Sequence, residues 1–299
     1  MSPLPASLLA LSVFAQSVLL SACATSGAPD AASPATPGSL SRAAAIGSVS
    51  GAPGKTGPGI VADCSASAVR TDGRFRYENN QWGAHKTQNK FEQCLLTRER
   101  GGKTEVGWTW NWPGFDPSVF AYPEIIVGWK PWSGGASTDA RFPLKVAEVK
   151  NLTLSYEVET TVSGSYDLAP ELWLTNAGAT SQANPQSITT EVMFWMDHTD
   201  GARPAGSIVG TVTQNGLEYE LWREEKIGVD ANGKGWRLLS FKSPKAQHQA
   251  TLDIAALLRH LLESKLISAD DYVASVEFGN EVMGGSGTTW VKQFDVRLD

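Results

Sequence analysis

From about residue 60 onward, short runs of β-branched and aromatic residues alternate with clusters of Gly, Pro, Asn and Asp. EVGWTWNW (105–112), VKNLTLSYEVET (149–160), ELWLT (171–175), SIVGTVTQ (207–214), LEYELWRE (217–224) and GWRLLSFKS (235–243) are examples. Runs of this length and composition, bounded by turn residues, predict strands. Many of them in succession predict an all-β chain folded as an antiparallel sandwich or jelly roll. Gln-Asn-Gly at 214–216, between two such runs, is a hairpin signal. One segment departs from the pattern. Ile254, Leu257, Leu258, Leu261 and Leu262 recur at helical spacing, which predicts one amphipathic helix over 251–266. Thr251 is its expected N-cap, with Asp253 in the first turn and the leucine stripe packed on a sheet.

Two strand-like segments contain glutamates where β-propensity disfavours them. Side chains of an extended chain alternate faces with a period of two. In TTEVMFWMD (189–197), Glu191, Met193, Trp195 and Asp197 therefore share one face, and Val192, Phe194 and Met196 the other. In 275–290, Glu277, Gly279, Glu281 and Met283 share a face opposite Val276, Phe278 and Val282. A carboxylate beside an indole, on a strand whose back is apolar, describes the floor of a carbohydrate cleft. Two such carboxylates are the minimum for glycoside hydrolysis. Any pair drawn from 31 acidic residues is ordinarily just surface, so placement in apolar strands is what singles these out. Asp167, between Tyr166 and Leu168, is a third candidate, with turn chemistry ahead of Pro170 as its ordinary alternative.

The rest of the composition narrows the field. A net charge of −6 argues against a nucleic-acid partner, which calls for clustered Lys and Arg. All 11 tryptophans lie between Trp82 and Trp290, which brackets the folded part. About half are expected to fill the core and the rest to offer flat faces to sugar rings. The four histidines form no metal-spaced pair, and there is no HExxH, CxxC, phosphate-binding glycine loop or GxSxG elbow. No metal or cofactor is expected.

Residues 1–22 read as an export signal. LLALSVFAQSVLL (8–20) is too short to span a bilayer, and Leu20-Ser21-Ala22-Cys23 resembles a lipobox, making Cys23 the expected lipidation site. An ordinary cleaved signal is the alternative, since the segment before the apolar run has no Lys or Arg. Lipidation of Cys23 leaves Cys64 and Cys94 as an even pair in an oxidising compartment. Residues 23–60, rich in Ala, Gly, Ser and Pro, read as a flexible tether, and 61–299 as the folded domain. The expected location is therefore outside the cytoplasm, on a bacterial (outer) membrane through lipid alone, or secreted. The expected state is a monomer.

At these residues the sequence resembles glycoside hydrolase family 12, a group of β-1,4-glucanases and xyloglucanases. The resemblance covers nearly all of 61–299. It is carried by NNQWGA (79–84) after a first cysteine, a second cysteine beyond it, SYDL (165–168), EVMFW (191–195), Pro204-Ala205-Gly206, and FGNE (278–281) after the single helix. It implies a β-jelly roll of two curved antiparallel sheets with one packed helix, and an endo-acting, retaining β-1,4-glucan hydrolase. It further implies Glu191 as nucleophile, Glu281 as general acid/base and Asp167 as the carboxyl that orients the nucleophile. Asn80, Trp82, Met193 and Trp195 are implied as the residues that line the substrate cleft, and Cys64–Cys94 as a disulfide. Retention needs carboxyls about 5–5.5 Å apart. At that range the charge of Glu191 is expected to raise Glu281, and Asp167 to share a proton with Glu191. The chain departs from the family at Ser67, where a tryptophan is common, at the bulky Phe194, and in HTDGARPAGS (198–207). A non-catalytic glucan-binding module and a xylanase of similar architecture are the alternative functions.

Overall fold

The computed structural model describes residues 59–230 and 232–299. The predicted signal, Cys23 and all but the last two residues of the predicted tether lie outside these. In chain order the strands are β1 (Ile60–Asp63), β2 (Val69–Asp72), β3 (Phe75–Glu78), β4 (Glu92–Arg100), β5 (Lys103–Trp112), β6 (Glu124–Gly128), β7 (Leu144–Lys145) and β8 (Leu152–Thr175). They continue with β9 (Ile188–Trp195), β10 (Asp197–His198), β11 (Ser207–Gln214), β12 (Leu217–Ile227), β13 (Trp236–Lys242), β14 (Gln249–Asp253) and β15 (Tyr272–Leu298). The helix α1 spans Ile254–Glu263, between β14 and β15.

The frame is the antiparallel pairing of β8 and β15 along their whole length, from Tyr272↔Thr175 to Leu298↔Leu152. Sequence reading breaks each of these into two or three runs; the structure fuses them. Glycines let them bend. Gly164, Gly284 and Gly285 meet at the bend with φ of +133°, +149° and +86°. A Cβ at Gly164 would sit 2.5 Å from the Gly284 carbonyl oxygen, so no larger residue fits this crossing. On one side of the bend, β15 is flanked by β5, then β4 and β1, and β8 by β14. On the other, β15 is flanked by β6 and β3, while β8 leads to β9, β13, β12 and β11. These two leaves are the layers of the sandwich. Val106, Trp108 and Trp110 of the first share one apolar core with Val192, Phe194, Leu239 and Phe241 of the second.

The jelly-roll expectation holds, with two local corrections. β9 and β13 pair in parallel, because the chain leaves β9, makes the β11–β12 hairpin and returns alongside β9 in the same direction. The hairpin turns at Asn215 and Gly216, both with positive φ, as Gln-Asn-Gly implied. The helix cap is Asp253, not Thr251. Thr251 is held in β14 by its ladder with β8, and the Asp253 side chain accepts from the Ala256 N–H at 2.9 Å. Ile254, Leu257, Leu258 and Leu261 are buried in the main core, as their spacing predicted. The Cys64–Cys94 disulfide is formed.

Candidate active site

The predicted face split is realised on β9. Val192 and Phe194, with Met196 just beyond, belong to the main core, with Phe194 stacked on Phe241. Met193 and Trp195 belong to a separate apolar patch on the other side, with Val119, Ala169, Leu238 and Met283. That patch lies where the cleft floor is expected. Glu191 lies on the same side of β9, and Glu281 on the same side of β15 as Met283. One strand, β8, runs between them. The two predicted catalytic glutamates therefore share a face of one leaf.

The acids of the intervening strand do not take the expected parts. Asp167 stands directly across from Glu281 in the ladder. It is fully buried, and its carboxyl oxygens have no donor outside Glu281. The two carboxyls are close enough for each to shift the other's proton affinity, and a hydrogen bond between them requires a proton on one. Asp167 is thus the neighbour of the acid/base candidate, and the expected bond to Glu191 is not made. The carboxyl beside Glu191 is Glu171, four residues further along the same face of β8. Trp173 is the direct partner of Glu191 and Glu171 that of Met193, which sets Glu171 and Glu191 on a diagonal. Glu171 was legible in principle, since i and i+4 share a face in a strand.

Burial dominates the electrostatics. It pushes Glu191 up to about 8, helped by the charge of Glu281 and opposed by a 2.7 Å hydrogen bond from the Trp236 indole N–H. Burial, more than any neighbouring charge, also raises Glu281, against the Asp167 hydrogen bond and the more distant Lys86 ammonium. The charge of Glu191, expected from the sequence to cause that shift, is not among its main causes. Asp167 is held well above the usual carboxylate range by burial and by Glu281, and Glu171 by burial and by Glu191. Among the described residues, none of these four acids forms an ion pair with a cation.

Aromatic rings extend the floor in both directions. Trp82 is half exposed, with the Lys86 ammonium 3.9 Å from its ring centre; Lys86 also donates to the Val119 carbonyl at 2.7 Å. On the Glu191 side, Trp132, Trp173 and Trp236 meet edge to face with centroids 5.3–5.7 Å apart. Trp132 keeps 39% of its surface open. Among the described residues the buried Trp195 indole N–H has no acceptor, which leaves it available to a ligand oxygen. Asn80 donates from Nδ2 to Glu124 at 2.8 Å. Trp236 carried no local signal in the sequence. Only the β9–β13 register, which sets Leu238 beside Glu191, brings it to the nucleophile candidate.

Comparison with known proteins agrees with this geometry. Residues 73–299 match the model of Glycosyl hydrolase family 12. The chain is 31% identical over 221 residues to Endoglucanase S of Pectobacterium parmentieri, covering 73% of this chain and 79% of that protein. It is 24% identical over 239 residues to the xyloglucan-specific endo-beta-1,4-glucanase A of Emericella nidulans, covering 76% and 86%. The solved structure of the native family 12 xyloglucanase from Bacillus licheniformis superposes with a TM-score of 0.70 at 31% identity, over 80% of this chain and 100% of that one. The match runs from the first turns of the described fold to its last residue, and the chain belongs to glycosyl hydrolase family 12: it is a glycoside hydrolase.

Proposed function

We propose that the protein is a retaining endo-β-1,4-glucanase that cuts internal bonds of soluble β-glucan chains, xyloglucan among them. The observation that carries this reading is the pair Glu191 and Glu281 on one face of the leaf, on strands flanking β8, near enough for the charge of Glu281 to act on Glu191. In this reading the Glu191 carboxylate attacks the anomeric carbon while Glu281 gives its proton to the departing glycosidic oxygen. The C–O bond breaks and a glycosyl ester forms on Glu191. Glu281, now a carboxylate, takes a proton from water, whose oxygen attacks the same carbon and frees Glu191. The Trp236 N–H favours the charged form of Glu191 and fixes one of its oxygens, leaving the other for attack. Glu171, held neutral beside it, adds no second charge next to the nucleophile. Asp167 keeps a shared proton within reach of Glu281.

The test is hydrolysis of xyloglucan, mixed-linkage β-glucan and carboxymethyl cellulose. Reducing sugar should appear with a rapid fall in viscosity, and NMR of the first products should show the β-anomer. Binding without release would make this a glucan-binding module, activity on xylan alone a xylanase, and α-anomer an inverting enzyme. The chain is further proposed to be exported and held by lipid on Cys23, a reading supported by LSAC (20–23) and in keeping with the Cys64–Cys94 disulfide. The intact mass of membrane-extracted protein should include a diacylglycerol; its absence would leave an ordinary cleaved signal.

A further inference from the structure

One buried ionic group takes no part in the chemistry above. Lys130, just past β6, keeps only 7% of its side chain accessible, and its ammonium is enclosed by carboxyls of three strands. Glu124 of β6 accepts from it, and Glu277 of β15 and Glu78 of β3 lie 3.5 Å away. A buried charge persists only where its partners are well placed. Here those partners lead to the cleft. The Glu124 oxygen that receives Lys130, Oε1, also receives the amide Nδ2 of Asn80 at 2.8 Å.

An ammonium can only donate. With Lys130 donating to Oε1 and the Glu124 hydrogen bond to Glu277 taking its proton on the other oxygen, Oε1 is left as an acceptor, and Asn80 must turn its nitrogen inward to meet it. The half-buried amide is left with its carbonyl oxygen for the groove. The rest of the cluster locks this polarity. Glu124 lies within hydrogen-bonding reach of Glu277, which also accepts from the Ser275 hydroxyl at 2.8 Å. Without Lys130 on Oε1, the Glu124 O–H could turn to Asn80 instead of Glu277, and the amide could sit either way round.

We infer that Lys130 and Glu124 are positioning residues for Asn80, orienting its amide so that Oδ1 accepts a hydroxyl hydrogen from the bound sugar chain. This rests on the glucan-hydrolase reading, which reducing-sugar release by the wild type decides beforehand and independently. The test is a double-mutant cycle read as KM and kcat on a soluble β-glucan that the wild type cleaves. Asn80→Ala should raise KM about tenfold, the loss of roughly one hydrogen bond, with a smaller change in kcat. Lys130→Met should raise KM similarly, yet add no more than about twofold in the Asn80→Ala background, because both act through one bond. Glu124→Leu should behave as Lys130→Met does. Glu124→Gln, which keeps an acceptor for Asn80 and a donor for Glu277, should rescue KM to within about threefold of wild type. Effects that multiply in the double variant, or an unchanged KM in Lys130→Met, would overturn the assignment. Should Lys130→Met and Glu124→Leu fail to fold, Glu124→Gln decides alone: rescue sustains the assignment, and a KM equal to that of Asn80→Ala ends it.

Discussion

Two groups of buried acids lie side by side on this leaf, and they are built differently. Glu78, Glu124 and Glu277 surround Lys130; Asp167, Glu171, Glu191 and Glu281 surround no cation. Burial opposes ionisation in both. In the first group the Lys130 ammonium, with hydrogen bonds from Glu124 and Ser275, overcomes that penalty for Glu277 and holds it below its usual range, while burial and Glu277 itself keep Glu124 well above its own. In the second nothing does, and all four acids are raised. Glu277 and Glu171 are direct cross-strand partners, so the boundary between the two regimes is one strand wide. One cation thus lets Glu277 ionise on its side of that boundary, while the four acids on the other side are all raised.

The sharpest way to break this comparison is to truncate one acid on the cation-free side. Glu191→Ala should lower turnover on β-glucan by on the order of 10⁴-fold or more, while far-ultraviolet circular dichroism and glucan binding stay as in the wild type. Retention of even a tenth of the rate would mean that Glu191 is not the nucleophile. Next in size is removal of the cation from the other side. Lys130→Met leaves Glu277 buried without a counter-charge, a loss of about 3–5 kcal/mol. Glu277 would then have a raised pKa in the folded state, and its penalty would grow as pH rises above the unfolded value. Melting temperatures should therefore drop most at pH 8 and least near pH 5. An equal drop at both would show that Lys130 stabilises by packing alone.

Much of this was legible in the chain. Period-two alternation placed Glu191, Met193 and Trp195 on one face and Val192 and Phe194 on the other, because a strand covered on one side by a core permits no other register. The same rule set Glu281 with Met283. Pairing between strands was not legible, since register depends on the bend at Gly164 and Gly284 and on the loops between strands. So the sequence alone does not show that Asp167 faces Glu281 and that Glu171, four residues on, faces the Glu191 side, nor that Trp236 reaches Glu191. The Lys130 group was hidden for a further reason. Glu78 and Glu124 read as ordinary charged residues, and Glu277, although it shares a face with Glu281, shows no link to a cation until three strands bring them together.

A smaller effect tests the cation-free cluster without destroying it. Glu191 is raised to about 8 in the folded protein, against about 4.3 in an unfolded chain. Between those values the folded state binds more protons than the unfolded one, so stability falls as pH rises through the window. Glu191→Gln mimics the protonated acid and escapes this loss. It should be inactive yet more stable than wild type at pH 8, by on the order of 2 kcal/mol, or about 4–8 °C in Tm. Near pH 5, where Glu191 already carries its proton, the gain should nearly vanish. A pH-independent difference would place Glu191 in a wetter setting than its 7% exposure indicates.

The finest adjustment is to the one donor that favours the Glu191 carboxylate. The Trp236 indole N–H lies 2.7 Å from Oε2, and its hydrogen bond opposes the upward push of burial. Trp236→Phe keeps a ring against Trp132 and Trp173 but removes that donor. Loss of a hydrogen bond to a charged group, roughly 1.4 kcal/mol, corresponds to about one pH unit. The direction is fixed: without the donor the charged form is less stable, the pKa of Glu191 rises, and attack needs a higher pH. The limb of the kcat/KM profile that Glu191 sets should therefore move toward alkaline pH by about one unit, with the other limb moving less. Movement of both limbs together would mean that the four carboxyls titrate as one unit, and that no single donor sets the charge of the nucleophile.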